Sequence, residues 1–288
     1  MEKPNIPEGE LKPRQTPKDV SEASVISQRG ELVDVTSLIS AREDEGRLPF
    51  QRQVQRVFDW VAETINSPEY RQFETEIGNI LTGVKGQHFI FDIEGVVMND
   101  VQNLEDLSER VYHVVPWIQP VLKKLIENGN HVGFWTSATA ESLEKMKKAM
   151  SPELAGLPAI SRDGWGKVAL AYRARRLNQM TDGQVIEVMQ SVYPSASRET
   201  FQAGLDIFDK NMVENFDYDP TYFLRSSKYP QLFISPKNGF FVDDNDQFIE
   251  SATTHGWPKH RAIKSIYFPQ KNDVLKIAQA IQEGMKQQ

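Results

Sequence analysis

Apolar residues fall along this chain in two rhythms. One is a short unbroken run of four or five. The other is a longer stretch in which they return every three or four positions. The runs predict buried strands and the stretches predict amphipathic helices. Strand-like segments are "HFIFD" (88–92), "HVGFWTS" (131–137), "LPAISRD" (157–163), "NGFFVDDND" (238–246) and "RAIKSIYFP" (261–269). Helical spacing links Val54, Val57, Phe58, Val61 and Ile65, and a second helix follows in "SPEYRQFETEIGNILTG" (67–83). Ile118, Val121, Leu122, Leu125 and Ile126 line one face of another helix, and Gly129 ends it. Further helices are expected in 139–150, 164–180, 182–193, 247–257 and from Asn272 onward. The segment "NDVQNLEDLSER" (99–110) reads as a polar connection. Strands alternating with helices define an α/β class built on a parallel sheet.

These patterns divide the chain into three parts. Residues 1–45, rich in Glu, Pro, Ser and Lys, read as a flexible arm in which "ELVDVTSLIS" forms a short docking element. Residues 46–85 read as an N-terminal helical extension, and 86–288 as the main domain with a helical insert at about 164–215. Composition narrows the functional classes. The chain has no cysteine, which excludes disulfides, thiolate metal sites and thiol nucleophiles. Its net charge of −7 argues against a dedicated nucleic-acid binder. It has no apolar run of the roughly 18 residues a membrane span needs and no signal-like start, so a cytoplasmic protein is expected, with delivery to another cell left open.

The strand ends carry the candidate chemistry. In a parallel sheet the carboxyl ends of the strands line the ligand crevice. Here they end in Asp92 and Glu94, in Thr136 and Ser137, and in Asp243, Asp244 and Asp246. Acids brought together at one edge repel one another, and a divalent cation relieves that repulsion. An all-oxygen donor set favours Mg²⁺. A carboxylate beside the ion is a candidate nucleophile toward phosphorus. The cation facing it is expected from Lys228 in "SSKYPQLF", with Lys210 and Lys237 as alternatives.

"FIFDIEGVV", "VGFWTSAT", "SSKYPQLF" and "FFVDDND" resemble, in order, the four signature motifs of the haloacid dehalogenase (HAD) superfamily of Mg²⁺-dependent phosphotransferases. The resemblance spans roughly residues 86–270, and "FWTSAT" is similar to the FCP/SCP-type protein phosphatases. It implies a three-layer α/β sandwich of HAD type, Rossmann-like, with a small helical cap over the active-site edge. It implies Asp92 as nucleophile and metal ligand. It implies that Glu94 binds the metal through its backbone carbonyl and shuttles the proton with its side chain. Thr136, with Ser137 nearby, would hold the phosphoryl group, Lys228 would neutralise Asp92 and the phosphate, and Asp243 and Asp244 would hold Mg²⁺. Most of the family has aspartate where Glu94 stands, although enolase-phosphatases have a similar "DIEG".

The expected activity is phosphomonoester hydrolysis through an aspartyl-phosphate. The substrate is a phosphorylated protein, with phosphotyrosine as one option by analogy with bacterial effectors of the superfamily. The alternatives are a phosphorylated small metabolite and a catalytically silent binding module. Simpler readings also stand. Thr136 and Ser137 could cap the helix near Ala140, "YRARR" (172–176) reads as a solvated helix face, and Trp165, Tyr172, Tyr193, Phe208 and Phe216 as the core of the cap. The histidines at 113, 131, 255 and 260 have no metal-ligand spacing.

Overall fold

The computed structural model describes residues 24–26, 32–34, 49–106, 109–211 and 227–287. The chain divides into two compact units, Met1–Arg52 and Gln53–Gln288. In the first, β1 (Ser24–Ile26) pairs antiparallel with β2 (Leu32–Asp34). Otherwise the arm expected over 1–45 lies outside the described residues, as do Phe216 and the end of the expected insert.

The second unit is built on a five-stranded parallel sheet. Its strands are β3 (His88–Asp92), β6 (His131–Trp135), β7 (Ala159–Ile160), β8 (Gly239–Asp243) and β9 (Ala262–Lys264). They lie in the order β7-β6-β3-β8-β9, a Rossmann-like layout. The chain builds outward from β3 on one side, then returns to its other side for β8, so the topological switch point falls between β3 and β8. Near-continuous apolar runs suit strands covered on both faces. Phe89, Phe91, Val132, Phe134, Phe240 and Val242 serve one core, while Ile90, Trp135 and Phe241 serve the other.

The first core is covered by α2 (Pro68–Ile80), α3 (Gln119–Glu127), part of α4 (Ala140–Lys148) and α10 (Lys271–Lys286). The second is covered by α6 (Arg162–Arg176), α7 (Asp182–Val192), α8 (Arg198–Asn211) and α9 (Asp246–Thr254). Helix α1 (Phe50–Asn66) places Trp60 against Phe268, and α5 (Pro152–Ala155) is a single turn. Among the described residues no helix is long and apolar enough to cross a membrane.

Four expectations need correction. The segment 99–110 is not a simple polar connection. It enters an antiparallel hairpin of β4 (Met98–Gln102) and β5 (Arg110–Val114). The hairpin is half-exposed, so it lacks the unbroken apolar run that marks a buried strand. The helices expected as a cap form an outer layer of the sandwich instead. Trp165, Tyr172, Tyr193 and Phe208 are core residues, as expected, but they share that core with the sheet. Sequence spacing shows that a helix has an apolar face, not what covers it. Residues 46–85 are not a separate extension, because Tyr70, Phe73 and Ile77 of α2 are buried in the first core. Finally, "YRARR" is only partly solvated. Tyr172 is buried and donates to Asp209, and Arg175 bridges Asp182 at 2.6 Å and Asp209 at 2.7 Å, while Arg173 and Arg176 are exposed.

Helix α8 approaches the 3₁₀ turn Pro230–Leu232 at Gly204, where a Cβ would overlap the Gln231 carbonyl oxygen and lie 3.0 Å from Leu232 Cα. Gly204→Ala gains about 1 kcal/mol of helix propensity. Overpacking against backbone costs ~1–3 kcal/mol. The expected outcome of urea unfolding is a net loss of up to about 2 kcal/mol, and a stabilised variant would show that α8 shifts without penalty.

At the opposite end of the sheet His88 and His131 stack with centroids 4.6 Å apart. Burial first, then the His131 ring, holds the His88 imidazole below its usual value of 6.5. The unfolded chain therefore binds this proton more readily, and stability falls as pH drops through about 6.5. Urea midpoints at pH 8 and pH 5.5 are expected to differ less in His88→Phe than in the native chain.

Candidate active site

Parallel register sets the site. Phe91 pairs with Val242, so Asp92 and Asp243 emerge side by side at the carboxyl ends of β3 and β8, at the switch point. Asp244 follows on the turn into α9. Carboxylate oxygens of Asp92, Asp243 and Asp244 all lie within 4.8 Å of one another. Lys228 reaches between them. Its Nζ donates to Asp92 Oδ1 and to Asp243 Oδ2, each at 2.7 Å, and all three residues are buried.

Lys228 is itself held by α9. Its backbone N–H donates to Ser251 Oγ at 3.2 Å, and that hydroxyl donates to the Lys228 carbonyl at 3.1 Å. The ammonium lies 4.6 Å from the Phe248 ring centroid. The Asn245 N–H donates to the remaining oxygen of Asp243 at 2.8 Å, and the Asn245 side chain caps α9.

The charges do not balance. Three carboxylates against one ammonium leave a formal −3 + 1 = −2. Like charges about 4 Å apart repel by ~4 kcal/mol at an effective dielectric of about 20. Burial lifts the Asp92 carboxyl well above the usual carboxylate range, and Asp243 and Asp244 add to this against the pull of Lys228. Burial and Asp243 also raise Asp244. Burial disfavours the charged ammonium of Lys228, but Asp243 and Asp92 outweigh it, so the lysine stays cationic. The formal surplus is −2, and a divalent cation is opposite to it in sign and equal in size. The donor set is all oxygen, which fits Mg²⁺.

Glu94 sits beyond the end of β3, half-buried. Thr136 Oγ1 donates to Glu94 Oε2 at 3.1 Å and accepts from the Ala138 N–H at 3.0 Å. Thr136 is fully buried, and its hydroxyl orients Glu94. Burial raises the Glu94 carboxyl, and the Thr136 bond opposes this. Ser137 is exposed and lies outside this cluster. Neither Thr136 nor Ser137 caps α4. Thr139 does, accepting from the Ser142 N–H at 3.2 Å.

Gly95 has φ 90°, and a Cβ there would stand 2.6 Å from Asp244 Oδ2 and from Tyr267 Cδ2. It permits both the turn and the close approach of a carboxylate. Its carbonyl accepts from the Phe268 N–H at 2.6 Å, and Phe268 has a φ of 60°, a strained value for a non-glycine residue. Sequence reading missed three supports: Ser251, Phe248 and Tyr267. Tyr267 is 62% exposed beside Gly95, and its hydroxyl donates to Asn99 Oδ1 at 3.2 Å. The sequence pattern puts Tyr267 inside the strand 261–269, whereas β9 ends at Lys264 and leaves it exposed in the loop that follows. Ser251 lies five positions after Asp246 on one helix and carries no local signal for a partner 23 residues earlier.

No family model, curated protein or solved structure matches the chain.

Lys228→Met leaves Asp92 and Asp243 buried without a cation. Breaking a buried ion pair from one side costs ~3–5 kcal/mol. The expected outcome is a loss of that order in chemical denaturation without added metal, partly reversed when Asp243→Asn is added. A loss below about 1 kcal/mol would show that the acids neutralise themselves by taking up protons.

Proposed function

We propose that this chain is a Mg²⁺-dependent phosphomonoesterase of HAD type, a hydrolase that works through an aspartyl-phosphate on Asp92. The observation that carries this reading is the buried contact of Lys228 with Asp92 and Asp243, at 2.7 Å each, beside Asp244. Three segments, at Asp92, Lys228 and Asp243–Asp244, supply one acid-and-lysine cluster at the switch point. Asp92, Asp243 and Asp244, with the Glu94 backbone carbonyl, would hold the ion. Mg²⁺, when bound, supplies positive charge that offsets the negative charge of the phosphoryl oxygens.

The chain's own residues then divide the reaction. An Asp92 carboxylate oxygen forms a bond to phosphorus as the bond from phosphorus to the leaving oxygen breaks. Glu94 gives its proton to that oxygen. A carboxyl raised by burial is suited to hold a proton until the transition state. Glu94 then takes a proton from water as the water oxygen attacks phosphorus and the bond to Asp92 breaks. Inorganic phosphate leaves and Asp92 is restored. Lys228 fixes the orientation of Asp92 throughout, and Thr136 fixes that of Glu94.

The site lies at the end of a sheet whose helical layers flank it. Among the described residues, the β4–β5 hairpin and the starts of α4 and α6 stand beside Glu94.

Hydrolysis of 4-nitrophenyl phosphate tests the reading. Native protein with Mg²⁺ is expected to turn it over, and EDTA to abolish turnover. Asp92→Asn should lower kcat by at least about 1,000-fold, as expected for loss of a nucleophile. Glu94→Gln should lower kcat by roughly 100-fold or more, while Mg²⁺ binding measured by calorimetry persists. If Asp92→Asn retains full activity, the mechanism is wrong. If the native protein shows none, the silent binding-module reading takes its place.

A further inference from the structure

Beside Glu94 lies an open cavity of about 450 Å³. Its size is within the ordinary range for small-ligand sites. Three elements supply its walls: Arg110 and Tyr112 from β5, Ser142 and Lys145 from α4, and Arg162 from the start of α6. Glu94 lines this cavity and stands two residues after Asp92 of the acid cluster. In the proposed reaction Glu94 faces the leaving oxygen, so the cavity receives the leaving group.

The walls carry an unusual charge for a chain of net −7. Arg110, Lys145 and Arg162 line the cavity, against Glu109 as the acid besides Glu94. Glu109 is engaged with Asn103 Nδ2 at 2.6 Å. Arg110 has a long contact of 3.5 Å with Asp100, and Lys145 an exposed pair with Glu141 at 2.9 Å. Such surface pairs are weak and readily exchanged for another anion. Arg162 is exposed, and among the described residues its guanidinium has no acidic partner. Its backbone is fixed by the bond from its N–H to the Ala138 carbonyl at 2.8 Å, so the side chain starts from a defined position. Tyr112 is buried and forms an aromatic wall between the charged groups.

We propose that the substrate is a small phosphomonoester whose leaving alcohol carries a second anionic group, seated in this cavity against Arg162, Lys145 and Arg110. This rests on the phosphomonoesterase reading and adds the substrate class to it. The guanidinium fork of Arg162 suits a carboxylate or a second phosphate. Convergence of three cations on one cavity of this volume fits a compact ligand better than an extended peptide, whose charges would be met along an open face.

A matched pair of aryl phosphates tests this. 4-(2-Carboxyethyl)phenyl phosphate and 4-propylphenyl phosphate have leaving groups of similar basicity and size but differ by one negative charge. The native protein with Mg²⁺ is expected to favour the carboxylate by tenfold or more in kcat/KM. That preference should fall to within about threefold of unity in Arg162→Ala/Lys145→Ala, and Arg162→Lys should retain part of it. Both side chains are exposed, so the substitutions leave the fold intact. Equal use of the two substrates by the native protein, or a preference that survives the double substitution, overturns the proposal and leaves the phosphomonoesterase reading standing. Failure to hydrolyse either substrate overturns both. A phosphotyrosine peptide with acidic flanks, if used more efficiently than the carboxylate, overturns the small-molecule class in favour of a protein.

Discussion

The contact of Lys228 with Asp92 and Asp243 is the constraint around which the second unit is organised. Parallel pairing of β3 and β8 delivers two carboxylates to adjacent positions at one edge, and the turn after β8 adds a third. That arrangement is self-repelling. It persists because a cation is inserted from a segment well before β8 in sequence, and because the cation is locked in place. Ser251 grips the Lys228 backbone from α9, Phe248 lies beside its ammonium, and α8 packs against the turn that follows it. The layer expected as a cap therefore has a different task. It forms part of the sandwich, and within it α8 packs on the turn that follows Lys228.

One lysine cannot neutralise three acids, and the residual charge is informative. A purely structural ion pair is most favourable when balanced, because each uncompensated buried charge costs several kcal/mol. A cluster left at −2 is stable only with protons taken up or a cation bound. Burial first, then the neighbouring acids, displaces Asp92 and Asp244 upward, in the direction of that proton uptake. In the proposed reaction, Mg²⁺ meets this demand while leaving Lys228 as the orienting group.

Much of this was legible in the chain. Apolar runs ending in acids identified β3 and β8, and parallel-sheet logic placed their ends together. Lys228 followed from the need for a cation, and its place in the cluster agrees with that choice. What escaped was whatever depends on partners distant in sequence. The hairpin at 98–114 alternates too weakly to stand out, because most of its residues are only half-buried and neither face is consistently apolar. The destination of α6–α8 could not be read, since an apolar helix face fits a cap or a sandwich layer equally well. Thr136 was expected to face a phosphoryl group. Its hydroxyl meets Glu94, 42 residues earlier, a pairing set by the adjacent ends of β3 and β6.

That pairing bears on why a glutamate follows the β3 aspartate at all. The extra methylene carries the Glu94 carboxyl far enough from the backbone to meet the Thr136 hydroxyl at the end of β6 and to form one wall of the basic cavity. An aspartate, shorter by one carbon, would reach less far from the same backbone position. The backbone of residues 94–95 is fixed independently, by the φ 90° turn at Gly95 and by the bond its carbonyl accepts from Phe268. Side-chain length can therefore vary at this position without moving the backbone carbonyl assigned to the metal. In the proposed reaction the glutamate separates two demands that an aspartate would have to meet at shorter range: a fixed backbone beside the acid cluster, and a proton donor that reaches toward the leaving group.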